Sequence, residues 1–80
     1  MKEIWKAFLD FVEGLPKPET RDDWGSNQAL LADWLFDNID FKALTAHEIC
    51  LIHEAAYMKV GHKFLGRLWI KLANELSEDK

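Results

Sequence analysis

The chain has 80 residues, 49% of them hydrophobic and 12% aromatic with four tryptophans, and a formal net charge of −4. That length supports one small domain with a thin core, and the acidic balance (pI about 5.2) argues against a generally basic nucleic-acid binder. No apolar run approaches the roughly 18 residues of a membrane span, no secretory leader is recognisable, and one cysteine permits no internal disulfide, so a reducing, cytoplasmic setting is expected.

The first element is an amphipathic helix. Ile4, Trp5, Phe8, Leu9, Phe11, Val12 and Leu15 fall on one side of a helical wheel, with Lys2, Glu3, Lys6, Asp10 and Glu13 on the other. Gly14 is expected to take a left-handed turn after it, with Leu15 folding back on Leu9, and Pro16 and Pro18 forbid continuation.

A second helix follows the polar connection "PKPETRDDWGS", with Leu30, Leu31, Trp34, Leu35 and Ile39 sharing a face and Asp33 and Asp37 opposite. Two starts compete, Ser26 as cap or the weaker capping pair Thr20 and Asp23. The spacing is read as a helix over 26–39, and Trp24 is expected to fold onto the core as a lid. A start at Thr20 would bring Trp24 onto the Leu31–Leu35 face, with the lid expected under either start.

After the short turn "DFKAL", Thr45 and Glu48 form a capping box, Leu44 staples onto Ile49, and a third helix runs over 46–60. Gly61 then breaks or bends the chain before a fourth helix over 62–77, whose buried arc is Phe64, Leu65, Leu68, Trp69, Leu72 and Leu76. The outer arc is Lys63, Arg67, Lys71 and Asn74, with Ile70 stranded among them. A break is favoured, because the Ile49–Ile52–Ala56–Val60 stripe does not continue in phase. With the first helix over 2–14, the expected fold class is all-α, a compact single-domain bundle of about four helices.

The segment from Leu44 to Gly66 holds Cys50 and the three histidines. His47, Cys50 and Glu54 share a side at i, i+3 and i+7, and Tyr57 extends it, all but the last being zinc-binding residue types. One helix cannot easily close a tetrahedral site, no second ligand pair completes it, and Leu51 stands where the second histidine of HExxH would be. Cys50 is read as a small buried hydrophobe and His47 as an exposed first-turn residue. A thiol site pairing Cys50 with His47 or His53 lacks the helix N-terminal amides that stabilise a thiolate. Asp33, Asp37 and Asp40 read as a solvated acidic face. With no phosphate loop, nucleophile elbow or dinucleotide fingerprint, neither an enzyme nor a cofactor is expected, and a metal or thiol protein centred on Cys50 is the distant alternative.

Two surface features remain. Lys59, Lys63, Arg67 and Lys71 recur every four residues, while the stretch from Glu19 to Asp40 carries six acids and one base. A helix–glycine–helix around Gly61 suggests a DNA-binding motif, but the small residue Ala56 lies five positions before it rather than four. The third helix also carries a second apolar stripe, Leu51, Ala55 and Met58. Were the helix continuous, Leu51, Met58, Leu65 and Leu72 would line up at heptad spacing. The functional expectation is therefore a small acidic interaction protein, an adaptor, regulator or inhibitor that binds another protein or itself as a homodimer. Its expected contact residues are Leu51, Ala55, Met58, Lys63, Arg67, Ile70 and Lys71. The alternative is a nucleic-acid-associated regulator using the basic ridge.

Overall fold

The apolar side of the first segment winds onto α1 (Glu3–Gly14) and buries Trp5, Phe8 and Val12. This computed structural model describes residues 3–78, with side chains to residue 74. The described part also contains α2 (Arg21–Asn38), a 3-10 turn (Phe41–Ala43), α3 (Ala46–Val60) and α4 (His62–Glu78), and no strand. The all-α four-helix reading is correct. The places assigned to Lys2 and the side chain of Leu76 lie outside the described residues.

Gly14 departs from expectation. It is the last residue of α1, and among the described glycines only Gly61 has positive φ. The Leu15 N–H donates to Val12 O at 3.1 Å, a tight turn that buries Leu15 and leaves Leu9 at the exposed edge, so no left-handed residue is required. Phe11 stacks on Trp34 with ring centroids 5.5 Å apart, joining α1 to α2.

Helix α2 begins at Arg21, five residues before the expected start. The Asp23 N–H donates to Thr20 Oγ1 at 3.1 Å, and Asp23 Oδ2 accepts from the N–H groups of Glu19 (3.0 Å) and Thr20 (3.2 Å). These bonds hold the Asp23 carboxyl below the ordinary carboxylate value, the Glu19 amide contributing most and the Thr20 amide next. The earlier start makes Trp24 part of the first turn, in phase with Asn27, Leu31 and Leu35. Leu31 and Leu35 are fully buried, whereas Leu30, about 100° round the helix from Leu31, is half exposed. Its expected place on the buried face is corrected accordingly.

The capping box at α3 forms as read. The Glu48 N–H donates to Thr45 Oγ1 (3.1 Å) and the Thr45 N–H to Glu48 Oε1 (3.0 Å), while Glu48 Oε2 accepts from the Trp5 indole at 3.0 Å. Helix α3 is the centre of the molecule, packing against α1, α2 and α4. That explains its apolar character on more than one side. Ile52, Ala56 and Val60 are fully buried, and Leu51, Ala55 and Tyr57 pack partly against the same core. Of the second stripe only Met58 stands clear, at 65% exposure. The smallest Cα extent, 19 Å, holds two layers of helices at about 8–10 Å spacing but not three.

Gly61 alone separates α3 from α4. Its φ of 89° and ψ of 148° lie in a region that only glycine occupies comfortably. Its N–H closes α3 on Tyr57 O (2.7 Å), and its carbonyl accepts the first bond of α4, from the Leu65 N–H at 3.4 Å. Glycine is tolerated at an N-cap, which answers the lack of a polar cap in the sequence. The break removes the heptad seam: Leu65 and Leu72 are buried in their own core while Met58 is exposed.

Candidate functional site

A polar junction anchors the region around Gly61. Asn27, 1% exposed, donates through Nδ2 to Pro16 O (2.9 Å) and Lys59 O (3.0 Å). Gln28 Nε2 donates to Val60 O at 2.9 Å, and Lys59 Nζ donates to Leu15 O. The last carbonyls of α3, which a helix leaves without internal partners, are thus met by two amides of α2. The same bonds tie down the proline connection. A buried asparagine in an otherwise apolar stripe is worth keeping only when its donors are satisfied, as they are here.

Two adjoining hollows open over this junction and share Trp24, Gly61 and His62. The larger, about 550 Å³, has a wall of Pro18, Trp24, Tyr57 and Met58, with Lys17 and Lys59 at its edge. The second, about 350 Å³, lies along the start of α4 and takes in Phe64, Lys63 and Arg67. Tyr57 and His62 stack across the helix break, ring centroids 4.5 Å apart and planes 14° from parallel, so the two rings form one aromatic surface over the joint. Gly61 brings the chain close to Trp24: a Cβ there would lie 4.0 Å from the indole.

The charge around the hollows is one-sided. No Asp or Glu lines either hollow, although the chain carries 14 acids against 10 Lys and Arg. Lys17, Lys63 and Arg67 are exposed and make no ion pair among the described residues, while Lys59 is engaged with Leu15. The first amides of α4 add a partial positive charge at the same place.

The anticipated contact residues are therefore divided. Met58, Lys63 and Arg67 line the hollows; Leu51 and Ala55 pack partly on the domain's own core. Ile70 (65% exposed) and Lys71 are exposed on α4 but line neither hollow. Lys17, Pro18 and Trp24 complete the site from the other end of the sequence, a contribution no local pattern announced. For Trp24 alone there was a signal, the Thr20–Asp23 capping pair, which places it in the first turn of α2.

The chemistry read into Leu44–Gly66 is placed differently. Cys50 is exposed rather than buried, because its position on α3 lies off the stripe of Ile52 and Ala56 that meets the core. His47 and Glu54 are exposed as well, and no three His, Cys, Asp or Glu side chains among the described residues are grouped to hold a metal. His53 instead accepts at Nδ1 from the Trp69 indole, 2.7 Å away, linking α3 to α4. Asp33 and Asp37 are exposed, and Asp40 accepts from the Lys42 N–H (3.1 Å) to cap the 3-10 turn. Among the described residues no helix is long and apolar enough to cross a membrane.

Comparison with protein families, curated proteins and solved structures finds no match to this chain.

Proposed function

We propose that this chain is a small helical interaction module, an adaptor, regulator or inhibitor that acts by binding another protein through the hollows beside Gly61. The observation that carries the reading is Met58, 65% exposed within an open, aromatic-walled hollow of about 550 Å³. A large flexible apolar side chain held beside Trp24 and the Tyr57–His62 stack is the composition of an adaptable contact surface. Ile70 and Lys71 extend that surface along α4. No catalytic, metal or cofactor role is assigned, and the lone exposed thiol of Cys50 fits a reducing compartment such as the cytoplasm. Self-association as a homodimer is the alternative use of the same surface.

A nucleic-acid regulator would use Lys63, Arg67 and Lys71 instead. Two observations weigh against it: the net charge of −4, and a single-residue joint at Gly61 where a helix-turn-helix has a turn of about three to four residues.

The test is photo-crosslinking in the native host. A benzophenone side chain at Met58 is expected to capture the same protein as one at Lys63. One at Lys6, exposed on α1, should not. Equal capture from Lys6, or no protein adduct from Met58 and Lys63, overturns the reading.

A further inference from the structure

We infer that the occupant of the two hollows is an acidic peptide segment of the partner that carries one bulky apolar side chain as its anchor. The inference rests on the interaction-module reading and adds the chemistry of what is bound. Two independent features of the site lead to it.

The first is the shape and chemistry of the larger hollow. Pro18, Trp24, Tyr57 and Met58 offer it an apolar wall, and the stacked rings of Tyr57 and His62 add an aromatic surface. The volume of about 550 Å³ accommodates a Leu, Phe or Trp side chain with part of its backbone. An anchor seated there removes apolar surface of both molecules from water.

The second is the segregation of charge. The cations of Lys17, Lys63 and Arg67 flank the hollows from two elements, the proline connection and α4, and none has an intramolecular ion pair among the described residues. Lys63 and Arg67 are one turn apart on α4, so their charges follow a line leading away from the anchor hollow. The α4 N-terminus adds its positive end to the same field. The negative end of α3 meets the same joint, and its terminal carbonyls accept from Asn27 and Gln28. In a chain with an excess of acids, two hollows whose lining holds cations and no Asp or Glu are complementary to carboxylates. Nucleic acid fits less well, since few cations face the site and the acidic remainder repels a polyanion.

The experiment uses two pools of short blocked, fluorescein-labelled peptides, each with a central Leu, Phe or Trp, flanked by Asp and Glu in one pool and by Lys in the other. Oligoglutamate without an anchor and single-stranded oligothymidylate serve as further probes. The acidic anchored pool is expected to bind. Lys63→Glu with Arg67→Glu should weaken it by about tenfold or more, equivalent to about 1.4 kcal/mol, and gain affinity for the lysine-flanked pool. Met58→Asp, which introduces a carboxylate at an exposed position, should weaken the acidic pool with the helical fold retained. The inference is overturned if the lysine-flanked pool binds the wild-type protein as well as the acidic one, or if oligoglutamate matches the anchored pool. It is also overturned if oligothymidylate binds more tightly than either, if no peptide binds, or if a second copy of the chain occupies the site, seen as a dimer that Met58→Asp dissociates. Should the crosslinks from Met58 still capture a protein, only the acidic-segment inference falls and the interaction reading stands.

Discussion

Asn27 of α2 donates to Lys59 O in the last turn of α3, 3.0 Å away, with the same amide nitrogen also bound to Pro16 O. One buried side chain thereby fixes the proline connection, α2 and the end of α3 relative to one another. The hollows beside Gly61 are assembled on that joint.

Replacing Asn27 with Leu keeps the γ-branched shape in a larger side chain and removes both N–H donors. Each carbonyl left without a partner in a buried setting costs about 1–3 kcal/mol. The variant is expected to lose about 2 kcal/mol or more in urea unfolding, a large share of the roughly 5–15 kcal/mol of a small domain. Amide exchange should accelerate first at the end of α3. Unchanged stability would remove Asn27 from the account of the fold.

Gly61→Ala separates backbone strain from crowding. The nearest atom to an added Cβ is the Trp24 indole at 4.0 Å, an ordinary contact, so the burden falls on φ at 89° and ψ at 148°. Such a conformation costs a residue other than glycine about 1–3 kcal/mol. A thermal melt should show that loss without a change in helix content. A stable Gly61→Ala protein would mean that α3 and α4 have merged or shifted at the joint.

Asp23 makes the start of α2 sensitive to acid. Its folded carboxyl titrates below the ordinary value because the Glu19 and Thr20 amides hold the charged form. A group with a depressed folded value contributes stability above its unfolded value, and that contribution is lost as pH falls through the lower folded one. Denaturation curves of the wild type and Asp23→Asn should therefore differ at neutral pH, the wild type being more stable, and converge in strong acid. Parallel curves at all pH values would show that the cap carries no linked proton.

The second stripe of α3 divides at its C-terminal end. Leu51 packs partly on the core and Met58 is 65% exposed. Leu51→Asp places a carboxylate against apolar neighbours and is expected to cost about 2 kcal/mol or more, whereas Met58→Asp should stay within about 0.5 kcal/mol of the wild type. Circular dichroism melts of the two single variants decide this. Equal destabilisation would put Met58 in the core and remove the basis of the proposed contact surface.

Much of the helical architecture was legible because its causes are local. The first helix follows from the apolar period of Ile4 to Leu15 and from two prolines; the third from the Thr45–Glu48 box; the break from Gly61. Each depends on hydrogen bonds and backbone freedom within a few residues, which the sequence displays directly. The exposed Lys63, Arg67, Ile70 and Lys71 were legible for the same reason, since periodicity on one helix sorts its own faces; Lys59, read with that ridge, lies on α3 and is turned to Leu15 O.

The start of α2 was less so, because two caps competed locally: either start leaves Asn27, Leu31 and Leu35 in phase, and the Thr20 cap adds Trp24 to the first turn, while the carbonyls that Asn27 meets come from two distant segments. The use of the apolar stripes on α3 depended on how many helices surround it. With α1, α2 and α4 all packed against that one helix, Leu51 and Ala55 are drawn partly into the domain's own core and Met58 alone stays outside. The hollows are a tertiary product in the same sense. Lys17, Trp24, Tyr57 and Lys63 come from different segments, and what brings them together is the packing of α2 on α3 and the turn at Gly61. Periodicity describes each helix by itself, and it holds no information on which helices meet.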